Sequence, residues 1–152
     1  MAGRRFDVPA LLIGRTLLGG MFVWAAVSNL ADLDAKVGYA ASKGLPAPTF
    51  FVTAASLLLL AGGLSIVAGF RPQLGAVAAA MFLIGVTPVM HNFWALTGLQ
   101  QQLELHSFAG NAGLLGGAIA FAAIPRPWPA SVDRWIASRT ARGASAAEPS
   151  YA

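Results

Sequence analysis

Residues 49–70, TFFVTAASLLLLAGGLSIVAGF, form an unbroken stretch without a single charged side chain. A bilayer core is about 30 Å thick, so a helix that crosses it needs about 20 predominantly apolar residues. The stretch is long enough to cross once, and it is too long and continuous for a strand of a membrane barrel. It therefore predicts a membrane-spanning helix.

Three further stretches meet the same requirement: residues 8–30, 74–96 and 108–124. The first carries Arg15 inside it, the second contains Pro88, where we expect a kink, and the third is at the short end of the permitted range. The predicted fold class is all-α, a four-helix transmembrane bundle in one domain over residues 1–125.

The composition agrees with a membrane protein and limits its chemistry. Charged residues make up only 11% of the chain and the hydrophobic fraction is 57%, whereas soluble domains carry about 25% charge. The absence of cysteine excludes disulfides, thiol nucleophiles and cysteine-ligated clusters. We therefore expect no intrinsic cofactor, with quinone as a possible borrowed carrier, and a protein that is not an enzyme by itself.

The distribution of lysine and arginine predicts the orientation, because cytoplasmic loops carry an excess of these residues. With four spans, both termini and the loop near residue 71 share one side, which holds seven arginines, while the other side holds Lys36 and Lys43. The prediction is a multi-pass protein of the plasma (inner) membrane with both termini in the cytoplasm.

The chain after the fourth span divides into two predicted segments. In residues 126–142, Trp128, Val132, Trp135 and Ile136 fall on one helical face among arginines, which is typical of a helix in the cytoplasmic headgroup layer. Residues 143–152 are small, polar and proline-containing, and they predict a disordered tail.

Arg15 is the one charge well inside a predicted span, and such charges are costly. Its helical face continues through Gly19, Phe22, Ala26 and Asn29, which favours a position inside the bundle. Two interpretations remain open: a buried cation for a quinone carbonyl or an anion, or an arginine that snorkels or caps backbone carbonyls.

A second group of polar residues falls at the opposite side of the membrane. His91, Asn92 and Asn111 could together form a small pocket for a quinone or a polar headgroup, in which an imidazole exchanges protons. His106 and Glu104 are nearby in sequence, but the spacing of the histidines is not that of a metal site. The candidate ligand-binding residues are therefore Arg15, His91, Asn92 and Asn111, with no catalytic or metal-ligating residue.

Small residues recur at helical spacing and favour close helix packing, either within the bundle or between copies in a homo-oligomer. Ala109, Gly113 and Gly117 form one row, and Gly62-Gly63 interrupts the leucines of the second span. No carboxylate lies within a span, which disfavours a proton-driven antiporter.

Six sequence elements follow one another along the chain: Arg15-x-x-x-Gly19 with Phe22, Gly44-Leu45-Pro46, Gly62-Gly63, Gly69-Phe70-Arg71-Pro72, His91-Asn92-Phe93-Trp94 and Asn111-x-x-Leu114-Leu115-Gly116-Gly117. In these elements and their order the sequence resembles the DoxX family of small four-helix membrane proteins. The resemblance covers about residues 8–135. Relatives often carry charged residues in the first, second and fourth spans that this sequence lacks.

The resemblance implies association with thiosulfate:quinone oxidoreductase, with quinol oxidases or with complexes of detoxifying enzymes. The leading hypothesis is a non-catalytic subunit or anchor of a quinone-linked or oxidative-stress redox complex. The alternatives are a carrier of a small anionic or lipophilic solute and, third, a direct thiosulfate:quinone oxidoreductase. Expected partners are membrane lipid, redox-enzyme subunits and further copies of the chain, but no nucleic acid.

Overall fold

The computed structural model describes residues 8–147, and their side chains as far as residue 142. This part of the chain is helical and contains no strand. Its helices are α1 (Val8–Ala31), α2 (Leu33–Ser42), α3 (Pro48–Ala68), α4 (Pro72–Met90), α5 (Gly98–Ala122) and α6 (Val132–Ala147), with a 3-10 turn at Phe93–Ala95. Arg4, Arg5 and the end of the predicted tail lie outside the described residues.

Three segments of the described chain are long and apolar enough to cross a membrane: Val8–Ala31, Pro48–Ala68 and Pro72–Ala95. They agree with the first three predicted spans. The predicted fourth span is part of a longer helix, because α5 begins at Gly98 and its first turns carry Gln100, Gln101, Gln102, Glu104 and His106. Gln, Glu and Leu are good helix formers, so the helix begins ten residues before its apolar part.

Prolines and residues in the left-handed backbone conformation mark the ends of the apolar helices α3 and α4. Proline is the first residue of both α3 and α4, where a missing N–H costs nothing. Gly69 ends α3 at φ +67° and donates its N–H to the carbonyl of Ser65. α4 passes Pro88 and ends at Met90, and the apolar segment continues through the 3-10 turn to Ala95, in agreement with the predicted span over residues 74–96.

The helices pack in the order α1, α3, α4, α5, and glycines bring the first three into backbone contact. A Cβ built on Gly19 would lie 2.8 Å from the carbonyl oxygen of Gly63, and a Cβ built on Gly63 would lie 2.8 Å from the carbonyl oxygen of Gly19. The neighbouring residue on α3, Gly62, packs equally closely against α4, because a Cβ built on it would lie 2.9 Å from the carbonyl oxygen of Gly75. Gly62-Gly63 therefore packs α3 closely against two helices at once.

The predicted small-residue row on α5 contributes little to packing within the chain. A Cβ on Gly113 would meet nothing within 4 Å, whereas one on Gly117 would lie 3.3 Å from a methyl group of Leu18. Only the Gly117 end of the row faces another helix, and α5 packs mainly on α4.

The segment after α5 differs from the prediction. Trp128 is 1% exposed, lies in the loop before α6 and makes an edge contact with Phe121 at 5.5 Å between ring centroids. It is a core residue and does not belong to the amphipathic helix. That helix, α6, begins at Val132 with Trp135 and Ile136 exposed, and it continues to Ala147, five residues into the predicted disordered tail.

Candidate functional site

The short helix α2 lies at the end of the bundle where α4 ends and α5 begins, which we call the α2 end. Five polar side chains on or next to the ends of these three helices form the polar cluster: Tyr39, Lys43, His91, Asn92 and Glu104. Hydrogen bonds join Tyr39 and His91 to Glu104, and a separate one joins Lys43 to Asn92. The opposite end of the bundle, where α6 begins, is called the α6 end.

Glu104 is the centre of the polar cluster. Its Oε2 lies 2.7 Å from Nδ1 of His91, and its Oε1 accepts a hydrogen bond of 2.9 Å from the hydroxyl of Tyr39. The same hydroxyl lies 3.0 Å from the carbonyl oxygen of Met90, the last residue of α4. The carboxylate therefore connects the start of α5 to both α2 and the end of α4.

Lys43 provides the second link across the α2 end. Its Nζ donates a hydrogen bond of 2.8 Å to Oδ1 of Asn92 and lies 5.2 Å from the centroid of the Tyr39 ring. A cation at this distance from an aromatic face is attracted to it. Asn92 is thus held at the turn after α4 by a side chain of the α2 region.

These contacts perturb the ionisation of two members of the polar cluster. The hydrogen bond with His91 lowers the pKa of Glu104 below its ordinary value, and the bond from Tyr39 acts in the same direction, against the effect of burial. Burial raises the pKa of Tyr39, and the hydrogen bond to Glu104 raises it further. Glu104 is therefore the anion of the cluster and Tyr39 remains a neutral donor.

Two residues of the polar cluster, Tyr39 and His91, line a cleft of about 570 Å³ that is bounded by α1, α2, α3, α4 and one residue of α5. Its walls are mostly apolar, and they include Phe51, Leu59, Met81, Phe82 and Val86. Its polar lining residues are Asn29, Lys36, Tyr39, Ser56, His91 and Asn111. Sites for small molecules have this size and this combination of an apolar wall with a few polar groups.

The arrangement suits an amphipathic molecule whose apolar body lies against α3 and α4 and whose polar head meets the imidazole and amide groups. His91 can donate or accept a hydrogen bond depending on its tautomer, and the amide of Asn111 can do both. Among residues 8–142, no three His, Asp or Glu side chains are grouped so that they could hold a metal ion.

The structure brings together three of the four predicted binding residues. His91 and Asn111 both line the cleft, and Asn92 is next to it in the polar cluster. Arg15 does not line the cleft. It lies 14 residues before Asn29 on the same helix, which is about 21 Å at 1.5 Å per residue.

Arg15 instead binds the backbone of the loop that leads into α6. Its two terminal nitrogens donate hydrogen bonds to the carbonyl oxygens of Pro129 and Ala130, at 3.2 and 2.5 Å, and the residue is 6% exposed. Its Nε is buried and has no hydrogen-bond partner among the described residues. Of the two interpretations drawn from the sequence, this geometry is that of an arginine that caps backbone carbonyls.

A second cavity, of about 530 Å³, lies at the α6 end and is lined by Arg71, Arg126 and Asp133 among apolar side chains. The carboxylate of Asp133 already accepts from the backbone N–H of Arg71 at 3.1 Å and lies 3.5 Å from the guanidinium of Arg126. These contacts attach the start of α6 to the turn between α3 and α4, so the Asp133 carboxylate of this cavity is engaged in holding the fold.

Sequence reasoning did not find the roles of Tyr39, Lys43 and Glu104. Tyr39 and Lys43 lie between the first two predicted spans, and nothing in the sequence pairs this segment with residues 91–104. One signal was available for Glu104: residues 98–107, GLQQQLELHS, have high helix propensity. A helix that begins at residue 98 brings Glu104 beside the end of the preceding span.

The architecture and composition define an integral membrane protein, with a ligand-sized cleft that begins at one end of its apolar helices. The family model that matches the chain is DoxX, over residues 10–92. Since the match covers more than half of the sequence, the chain belongs to the DoxX family. No curated protein and no solved structure matches the chain.

Proposed function

We propose that this DoxX-family protein binds a quinone-class amphiphile in the cleft at the α2 end and acts as a non-catalytic subunit or anchor of a quinone-linked or oxidative-stress redox complex. The observation that carries the proposal is the cleft itself: an apolar wall of α3 and α4 next to polar groups that include His91 and Asn111. A ring with polar oxygens and an isoprenoid tail has this division into a polar head and an apolar body.

The proposal places the ligand in reach of the bilayer. Met81 and Leu58 line the cleft and are exposed on α4 and α3, both of which are long and apolar enough to cross a membrane. A lipid-soluble molecule can therefore enter from the hydrocarbon region. We assign the electron transfer to partner subunits, in keeping with the non-catalytic role proposed for this chain.

Gly85 offers a direct test, because it lines the cleft and a Cβ added to it would meet nothing within 4 Å. Gly85→Leu should fill the cleft without disturbing a helix contact. Gly116→Leu is the matched control, since Gly116 also faces open space but lies on α5 outside the cleft lining.

The measurement is the quinone content, by solvent extraction, of each variant purified gently from its own membrane, together with native mass spectrometry of co-purifying subunits. We expect the wild type and Gly116→Leu to carry quinone and Gly85→Leu to lose it. Wild-type protein without bound quinone, or an equal quinone content in the wild type and both variants, would refute the binding role. Wild-type protein that binds quinone but always comes without partner subunits would refute the role in a complex.

We further propose that residues 108–124, which include the apolar part of α5, cross the membrane, which makes four spans with both termini in the cytoplasm of a plasma membrane. The arginines near the α6 end support this orientation. Because the chain has no cysteine, a single introduced cysteine reports the orientation: Ser138 on α6 and Ser42 on α2 are both exposed, and the variants are Ser138→Cys and Ser42→Cys. Membrane-impermeant maleimide should label Ser42→Cys in intact cells and Ser138→Cys only after lysis, and the opposite pattern would overturn the orientation.

A further inference from the structure

The hydrogen bond between His91 and Glu104 determines which ring nitrogen carries the proton. Nδ1 lies 2.7 Å from Oε2, and an ionised carboxylate can only accept, so Nδ1 must donate. The lowered pKa of Glu104 agrees with an ionised side chain. A neutral His91 therefore has its hydrogen on Nδ1 and a free lone pair on Nε2.

Tyr39 keeps the carboxylate in this orientation. Its hydroxyl lies 2.9 Å from Oε1 of Glu104, so both carboxylate oxygens have partners and the group cannot rotate away from His91 without losing one. The single hydroxyl hydrogen of Tyr39 is shared between Glu104 and the carbonyl oxygen of Met90. Tyr39 thus has no further hydrogen to offer to a molecule in the cleft.

His91 lines the cleft, whereas Glu104 does not, and within residues 8–142 its Nε2 has no hydrogen-bond partner. We propose that Nε2 of His91 acts as a hydrogen-bond acceptor at the mouth of the cleft and selects amphiphiles whose polar head donates a hydroxyl hydrogen. This inference rests on the proposed ligand-binding role of the cleft and specifies the class of ligand.

A hydroxyl head suits the other polar groups of the lining as well. Its oxygen can accept from the amide of Asn111, which has two hydrogens, while its hydrogen goes to His91. A carbonyl head can use the amide but leaves Nε2 without a partner, and a polar group that is left unpaired in a ligand-filled cleft costs binding free energy. Reduced quinones, phenols and sterol-like alcohols are therefore favoured over the oxidised quinone.

The test compares two ligands with the same ring substituents and different head oxygens: a decyl-substituted benzoquinol, whose oxygens are hydroxyl groups, and the matching benzoquinone, whose oxygens are carbonyl groups. Their affinities for the full chain in lipid nanodiscs would be measured under anaerobic conditions at neutral pH. One hydrogen bond corresponds to about a tenfold preference for the quinol. Equal affinity, or a preference for the quinone, would overturn the inference while leaving the binding role intact. Absence of binding by both would overturn the binding role together with the inference.

Glu104→Gln tests the orienting role of the carboxylate. A glutamine amide can donate to Nδ1, which moves the ring hydrogen to Nε2 and makes that nitrogen a donor. The preference for the quinol should fall from about tenfold to none or reverse. His106→Gln is the control, because His106 lies on α5 with its Nδ1 on the carbonyl oxygen of Gln102, and it should keep the wild-type preference. An unchanged preference in Glu104→Gln would overturn the role of the carboxylate in orienting His91. The comparison of the two ligands on the wild-type chain does not depend on either variant.

Discussion

Replacing Arg15 with methionine separates a structural role of this residue from a role in ligand binding. The change keeps a long, unbranched side chain but removes the two hydrogen bonds to the carbonyl oxygens of Pro129 and Ala130. These bonds hold the loop that precedes α6. We therefore expect Arg15→Met to loosen the start of α6 and to leave quinone binding at the α2 end unchanged.

The size of the effect follows from the two bonds. A hydrogen bond to a charged group is worth roughly 1.5–3 kcal/mol, so the lower values for the two bonds of Arg15 sum to about 3 kcal/mol. This free energy corresponds to about a hundredfold change in a local opening equilibrium. Hydrogen exchange measured by mass spectrometry on peptides that cover residues 131–139 should accelerate by that factor.

The exchange experiment reports on specific amides. The N–H of Asp133 donates to the carbonyl oxygen of Gly69 and that of Trp135 to the carbonyl oxygen of Ser131, so both are protected only while this region is closed. Arg139→Met is the matched control, since Arg139 is exposed and stacks 4.2 Å from the ring of Trp135. If Arg15→Met exchanges hydrogen at the wild-type rate over residues 131–139, or if it loses bound quinone, Arg15 does not act as we describe.

Two further predictions concern packing and pH. In Gly63→Ala the new Cβ would lie 2.8 Å from the carbonyl oxygen of Gly19, so α1 and α3 must separate, and we expect a loss of about 1–3 kcal/mol of unfolding free energy. Unfolding in mixed micelles would measure it against Gly116→Ala, whose site is open; equal stability of the two variants would contradict the packing. Because the pKa of Glu104 is lower in the folded protein, its contribution to stability is present above the ordinary pKa of about 4.3 and is lost as pH falls through the lowered value. Thermal unfolding between pH 3 and 7 should show this loss of stability in the wild type and not in Glu104→Gln. If the stability of both proteins falls equally with pH, the contribution assigned to Glu104 is refuted.

The sequence was sufficient for features that depend on single segments. Hydropathy placed the three apolar helices, because a segment that lies in hydrocarbon must be apolar over its whole length wherever its neighbours are. The prediction that Gly62-Gly63 allows close packing also agrees with the structure. The start of α5 was less accessible, since hydropathy detects only the apolar part of a helix.

The candidate site was predicted only in part. His91 and Asn111 stood out as polar residues near apolar spans, but the side chains that orient His91 come from α2 and from the start of α5. Trp128 illustrates the same difficulty at the other end, because its spacing from Trp135 fits a helical face although it is buried beside Phe121. Periodicity cannot distinguish a surface residue from a core residue once the chain leaves the helix.

By itself, the sequence determined the class of protein, the apolar helices and the family, because these properties depend on composition and on the order of residues along the chain. The tertiary structure decided what the polar residues do. It placed Arg15 on the loop before α6 and brought Glu104 to His91, 13 positions apart in sequence. Hydrogen bonds act over about 3 Å, so the partner of a polar side chain depends on how helices pack, which one segment alone does not specify.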